Sequence, residues 1–243
     1  MENKTGEDSA FISLSLTRFI LVFIFMSFIV KILVEIIHEI FGHGLVVLLA
    51  GGKINSFTIS WLWPLEFSSI SWHLPSDITP LIRGCVIAGG IFACIITYFS
   101  SLAVLHFIQF EKRIFLTIFL IWLTFWSLLN STGYLIIGGL SPFGDISQLI
   151  QLGFLTQLSS LLLGLGLFGI GFVLLSINLD QFFSIHYSAN KEYFVVIFWG
   201  LVPFLTFLTI LGYNFPLYVI FPSFIPMGAT LIYYFTSKDV IRA

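Results

Sequence analysis

Residues 20–50, "ILVFIFMSFIVKILVEIIHEIFGHGLVVLLA", decide what kind of fold this chain can adopt. The run is long enough to cross a bilayer core of about 30 Å, which takes roughly 20 mostly apolar residues in a helix. Its second half nevertheless contains two carboxylates and two histidines within residues 35–43. Ionisable groups are costly in hydrocarbon and usually mark a functional site, so this segment is the first candidate for one.

The composition extends the membrane interpretation to the whole chain. Hydrophobic residues make up 58% of the sequence and charged residues 9%, with a mean hydropathy of +1.05. A soluble domain carries about 25% charged residues, so we predict an integral membrane protein. The net charge of −2 gives no electrostatic basis for a nucleic-acid partner. The polar segment 1–10 lacks the basic start of a signal peptide, so the first apolar run is expected to remain in the mature protein.

Hydropathy predicts an all-α polytopic membrane protein with about six transmembrane helices. The candidate helices cover residues 16–50, 80–107, 113–137, 155–177, 193–213 and 217–235. Lys and Arg near the helix ends favour cytoplasmic N- and C-termini in the cell membrane. The terminal side would carry Lys4, Arg18, Lys112, Arg113, Lys191, Lys238 and Arg242, and the opposite side only Lys53 and Arg83.

A short β-hairpin is predicted at the membrane interface between the first two helices. In residues 56–63, "SFTISWLW", apolar and polar side chains alternate, and they alternate again in residues 69–74, "SISWHL". Strict alternation of this kind is typical of strands. The tryptophans in both segments suit the level of the lipid headgroups.

The ionisable residues of the first helix share one face. At about 100° per residue, Glu35, His38, Glu39 and His43 project into an arc of about 140°. Interhelical hydrogen bonding or a wet cavity could explain such a face, but His with carboxylate is also the ligand set of metal sites. The histidines are five residues apart, one more than in the zinc motif H-E-x-x-H. A π-bulge would absorb the extra residue, and Gly42 would permit the distortion.

A metal site requires a third ligand, and Asp145 in "GGLSPFGDISQL" (138–149) is the best candidate. Gly138, Gly139, Pro142 and Gly144 are expected to break the helix there and to direct Asp145 toward the first helix. The alternative is a capping or turn residue in an interfacial loop. Asn130 belongs to a polar group that could hold substrate or support the site, or could equally join helices by hydrogen bonds.

The string "HEIFGHGLVVLLAGGKINSFTIS" (38–60) resembles the site-2 protease family of intramembrane zinc metalloproteases. The segments "IRGCVIAGGIFACII" (82–96) and "SPFGDISQL" (141–149) are similar to its second core helix and its third-ligand segment. The resemblance covers residues 1–150 as a membrane core, and residues 151–243 are expected to add three helices. Two features depart from the family pattern: the five-residue His spacing and Ile146 after Asp145.

The resemblance implies that His38, His43 and Asp145 bind Zn²⁺ and that Glu39 is the catalytic base. It also implies a membrane-protein substrate that adds as a strand to residues 56–60, so Ser56 and Thr58, together with Asn130, are expected to bind substrate. Two other functions remain open at this stage. One is an inactive homologue acting as a membrane scaffold or binder, and the other is a small ion-coupled transporter that uses the Glu35–His43 face.

Overall fold

A computed structural model describes residues 15–61, 66–108, 110, 112–224 and 228. The elements of this part of the chain are, in order, α1 (Leu16–Ile36), a π-helical segment (Ile37–Gly44), α2 (Leu45–Leu49), β1 (Lys53–Thr58), β2 (Ser69–His73), α3 (Pro80–Phe107), α4 (Ile114–Leu140), α5 (Gly144–Gln151), α6 (Gln157–His186), a 3₁₀ turn (Ser188–Asn190), α7 (Lys191–Tyr213) and a second 3₁₀ segment (Leu217–Ser223).

Among the described residues, four helical segments are long and apolar enough to cross a membrane. They are Leu16–Leu49, Pro80–Phe107, Ile114–Leu140 and Gln157–His186. Helix α7 contributes only a shorter apolar stretch, Gly200–Gly212. The sixth predicted helix, 217–235, begins as the 3₁₀ segment, and most of it lies outside the described residues. A helical membrane protein is therefore supported, and the count of six remains a prediction.

Helix α4 is the centre of the bundle and packs against α1, α3 and α6. Aromatic side chains fill the core beside it: the ring of Phe23 lies 4.9 Å from Trp122 and 5.5 Å from Phe198, between centroids. Outward-facing side chains are apolar as well, for example Leu21, Ile96 and Leu162. Helices that are apolar on all sides suit lipid contact on one face and protein contact on the other.

The first helix changes its hydrogen-bond pattern at the ionisable segment, where a π-bulge would bring the two histidines to one face. The amide of Leu45 donates to the carbonyl of Ile40, five residues earlier, which is the π-helical pattern. In this geometry residues five apart lie on the same face. Of the two alternatives, a regular helix and a local bulge at residues 40–42, the structure has the distortion, and it extends over the whole of Ile37–Gly44.

The π-helical segment packs against the middle of α3 through glycines. A Cβ added at Gly42 would lie 2.4 Å from the Cα of Gly90, and one at Gly89 would lie 2.7 Å from the Gly42 carbonyl oxygen. No side chain fits between the two backbones, so glycine is required for this close approach. The contact fixes the distance between the histidine helix and α3.

Gly42→Ala is expected to destabilise the fold, because its new methyl group would meet backbone atoms that cannot rotate away. Overpacking of this kind costs about 1–3 kcal/mol, so the midpoint of thermal unfolding in detergent should fall. Gly169→Ala is the matched control, since a Cβ there has open space within 4 Å. An unchanged midpoint for Gly42→Ala would contradict the observed packing.

The predicted hairpin is present, with different bounds. Strand β1 begins at Lys53, three residues earlier than the alternation indicated, and pairs antiparallel with β2. Trp63 lies outside the described residues. The chain after β1 returns along the first helix, so that the carbonyl of Ser60 accepts a hydrogen bond from Lys31 Nζ at 2.9 Å. Lys31 is near the middle of the 34-residue segment Leu16–Leu49, so the chain after β1 lies beside the middle of that segment.

The helix break before Asp145 is confirmed but lies later than predicted. Helix α4 continues through Gly138 and Gly139 to Leu140, and Gly144 has φ +51° at the start of α5. The two α4 glycines instead permit close packing, because a Cβ at Gly138 would lie 2.6 Å from Cβ of Ile146. The fully buried Ile146 therefore anchors α5 against α4 and orients the residue before it, Asp145.

Candidate metal centre

His38, His43 and Asp145 converge on one point although the two histidines and the aspartate are more than a hundred residues apart in sequence. The Nε2 atoms of the two histidines are 3.2 Å apart. Asp145 Oδ2 lies 3.4 Å from His38 Nε2 and 3.2 Å from His43 Nε2. All three residues are buried, and within the described chain they are the one group of His, Cys, Asp or Glu arranged to hold a metal ion.

This triangle matches the spacing that zinc requires. Tetrahedral ligands at about 2.0–2.1 Å from zinc lie about 3.3 Å from one another. The three observed separations of 3.2, 3.2 and 3.4 Å are close to that edge length. Two imidazole nitrogens and one carboxylate oxygen are also a ligand set that zinc accepts, and they leave a fourth position for water or substrate.

Hydrogen bonds on the far side of the rings orient the ligands. His43 Nδ1 lies 2.7 Å from the carbonyl oxygen of Val86. A carbonyl only accepts, so Nδ1 carries the proton and, in the neutral ring, the lone pair is at Nε2. His38 Nδ1 lies 3.8 Å from Cys94 Sγ, a weaker contact of the same kind. Such outer partners fix ring orientation in metal sites.

Converging lone pairs and a carboxylate repel one another unless a cation lies between them. Burial by itself would raise the pKa of the Asp145 carboxyl, but hydrogen bonds from His38 and His43, which form when a ring carries its proton at Nε2 and no metal is bound, hold that pKa below its usual range. The carboxyl is therefore a carboxylate and a competent ligand. A shared metal ion would satisfy all three donor atoms together, whereas a proton could satisfy only one pair.

Aromatic rings enclose the ligands on two sides. Trp72 of β2 stacks on His43 with centroids 5.5 Å apart, and Tyr134 of α4 stacks on His38 at 5.0 Å. Sequence reasoning did not assign Trp72 to the site, because alternation marked it only as a strand residue. Tyr134 belongs to the same polar group as Asn130, for which support of the site and interhelical hydrogen bonding were both left open.

Gly90 leaves room behind the ligand nitrogens. A Cβ added there would lie 2.5 Å from His38 Nε2 and 2.6 Å from His43 Nε2. Helix α3 therefore presents bare backbone to the point where the donors converge, and any side chain at this position would compete with the ligands for space.

A cavity of about 500 Å³ opens next to the triangle and contains Glu39 in its wall. His43, Asp145 and Tyr134 border it on the metal side, and residues 67–70 border it on the hairpin side. Glu39 is 4% exposed, so its carboxylate faces the protein interior and the cavity rather than the outside of the bundle. The cavity is large enough for a short extended peptide together with water.

The three residues predicted to bind substrate, Ser56, Thr58 and Asn130, lie outside the lining of this cavity. Ser56 and Thr58 are exposed on β1, and Ser56 Oγ is 2.8 Å from Ser71 Oγ across the hairpin. Asn130 lies behind the ligands, where Nδ2 donates to Glu35 at 3.3 Å and Oδ1 accepts from Cys94 Sγ at 3.5 Å. None of the three borders the cavity, which is lined by β2 instead of β1.

Comparison with known proteins adds nothing to this geometry, because no protein-family model, curated protein or solved structure matches the chain. The likeness to site-2 proteases therefore remains a prediction made from the sequence.

Proposed function

We propose that this chain is an intramembrane zinc metalloprotease that hydrolyses a peptide bond of a membrane-protein substrate within or near the bilayer. The observation that carries the proposal is the triangle of His38 Nε2, His43 Nε2 and Asp145 Oδ2, with edges of 3.2–3.4 Å, beside a cavity that contains Glu39. As part of the same proposal, the protein spans the cell membrane several times with cytoplasmic termini.

Each residue has a distinct role in the proposed reaction. His38, His43 and Asp145 would hold a zinc ion, which when bound would polarise the scissile carbonyl and lower the pKa of a water to about 7. The Glu39 carboxylate would accept a proton from the attacking water and then deliver it to the leaving amine nitrogen. The buried surroundings of Glu39 and the aromatic walls Trp72 and Tyr134 limit the water that reaches the site.

The substrate strand is proposed to add to β2. Side chains of consecutive strand residues point to opposite faces, yet Ser69 and Ile70 of β2 both border the cavity, so the start of β2 presents its edge to it. The other edge of β2 is already paired with β1. An unwound substrate segment could therefore pair with β2 and pass directly in front of Glu39.

Zinc content tests the proposal. Purified full-length protein is expected to carry about one zinc per chain, and His38→Ala, His43→Ala and Asp145→Ala should each lose most of it, because three protein ligands are the minimum of a catalytic site. His73→Ala, an exposed histidine at the end of β2, is the control and should keep its zinc. Wild-type protein without zinc, or zinc retained by all three ligand variants, would exclude a metalloprotease. The transporter alternative would then be tested by pH-coupled flux.

A further inference from the structure

Two buried charges of α1 take no part in the metal triangle. Lys31 and Glu35 are 5% and 6% exposed, and Lys31 Nζ lies 4.0 Å from Glu35 Oε1, one helical turn away. An isolated charge at this depth would be strongly unfavourable, so such groups are retained where they have defined partners. The question is which partners the pair has and what it holds in place.

Lys31 forms a hydrogen bond to the segment that follows β1. Its ammonium donates to the backbone carbonyl of Ser60 at 2.9 Å. Ser60 is itself buried, and its amide donates to Ser68 Oγ at 3.0 Å, which joins the two sides of the hairpin beyond the strands. Ser68 borders the cavity, next to the start of β2. Lys31 is thus connected to the cavity wall through two hydrogen bonds.

Glu35 links Lys31 to helix α4. Its Oε1 accepts from Asn130 Nδ2 of α4 at 3.3 Å while it pairs with Lys31. Of the four apolar spans among the described residues, helix α4 is the most buried and is therefore a firm point of attachment. The carboxylate neutralises the ammonium and fixes its position, so that the ammonium can remain beside a backbone carbonyl.

We propose that Lys31 and Glu35 are positioning residues for the substrate platform: a buried ion pair that fixes the hairpin, and with it β2, against α1 and α4. The inference rests on the proposed function for its consequence in catalysis, but not for the link itself. This role gives a reason for a lysine within the apolar helix α1, two turns before Glu39. Lys31 takes no part in the candidate metal ligand set. The backbone carbonyl of Ser60 requires a donor inside the bundle, and a cation balanced by Glu35 is a strong one.

The test compares three variants of the full chain in detergent: Lys31→Met, the double variant Lys31→Met/Glu35→Gln, and the control Lys191→Met. The double variant leaves no unpaired buried charge, so it should fold even if the single variant does not. Lys191 forms an ion pair of 3.2 Å with Asp180 far from the site and tests the loss of a lysine as such.

Hydrogen–deuterium exchange of residues 53–73 is the readout that needs no activity. Local opening of the hairpin should speed exchange there about tenfold or more in the double variant, while the helices keep wild-type rates. Zinc content should remain at the wild-type level. For substrate cleavage, KM should rise about tenfold or more with a smaller change in kcat, because the platform and not the reacting groups is displaced.

Wild-type exchange in residues 53–73, or acceleration spread equally over the whole bundle, would overturn the inference. Zinc loss in the double variant would overturn it too, because the pair would then support the ligands and not the hairpin. The Lys191→Met control should match wild type in all three measurements. If the wild-type chain proves to bind no zinc, the proposed function fails, while the exchange result still decides whether the link exists.

Discussion

Glu39→Gln is expected to abolish peptide-bond hydrolysis while leaving the metal in place. The amide has nearly the shape of the carboxylate but cannot accept the proton of the attacking water. Loss of a general base lowers the rate by about 10²–10⁴-fold, so cleavage of a single-span reporter protein should fall to background. Glu39 supplies none of the three candidate ligand atoms, so zinc should remain at about one per chain.

Asp77→Asn is the control for this substitution, because it removes a carboxylate from an exposed loop. It should keep wild-type cleavage and wild-type zinc. Cleavage by Glu39→Gln at the wild-type rate would remove Glu39 from the mechanism. Loss of zinc in Glu39→Gln would instead show that the residue serves the metal site, and the two results are separated by measuring both quantities on the same preparation.

Gly90→Ala is expected to empty the metal site without removing any ligand. The new methyl group would lie 2.5–2.6 Å from both His Nε2 atoms, so at least one imidazole must leave the triangle. Disturbing the support of a metal ligand typically costs about 10–100-fold in metal affinity, and displacing a ligand should cost at least as much. Zinc titration of the purified protein in competition with a chelator measures the loss.

Gly133→Ala on α4 is the matched control, since a Cβ at this glycine meets nothing within 4 Å. It should bind zinc as the wild type does. Unfolding of Gly90→Ala, followed by circular dichroism, separates a local effect on the ligands from a general loss of structure. Wild-type zinc affinity in a folded Gly90→Ala protein would mean that the ligands are placed differently from the geometry described.

The five-residue spacing of the histidines shows what the sequence could and could not predict about the first helix. The string 38–43 contains the information that an ideal α-helix would place the two side chains on different faces. Because a local bulge is a backbone property, and Gly42 is permissive, the sequence could also indicate where the distortion would occur. The extent of the π-helical segment, eight residues, depends on the glycine contact with α3 and was not readable from residues 38–43 alone.

The sequence placed the predicted substrate strand on β1, whereas β2 is the strand that borders the cavity. Alternation identifies strands but not which strand edge faces a neighbouring helix. That choice follows from the Lys31–Ser60 hydrogen bond and from the stacking of Trp72 on His43, both of which are long-range contacts. Asn130 was likewise singled out as polar, but only the arrangement of α1, α3 and α4 places it between Glu35 and Cys94.

The sequence by itself determined the membrane character, the helical class, the hairpin and the candidate ligands His38, His43 and Asp145, because composition and periodicity are local properties of the chain. The tertiary structure alone decided that Asp145 meets the two histidines at zinc-like distances, that Gly90 leaves them space, and that β2 borders the cavity of Glu39. These features join residues far apart in sequence, and their distances are set by how α1, α3, α4 and α5 pack, which no local pattern encodes.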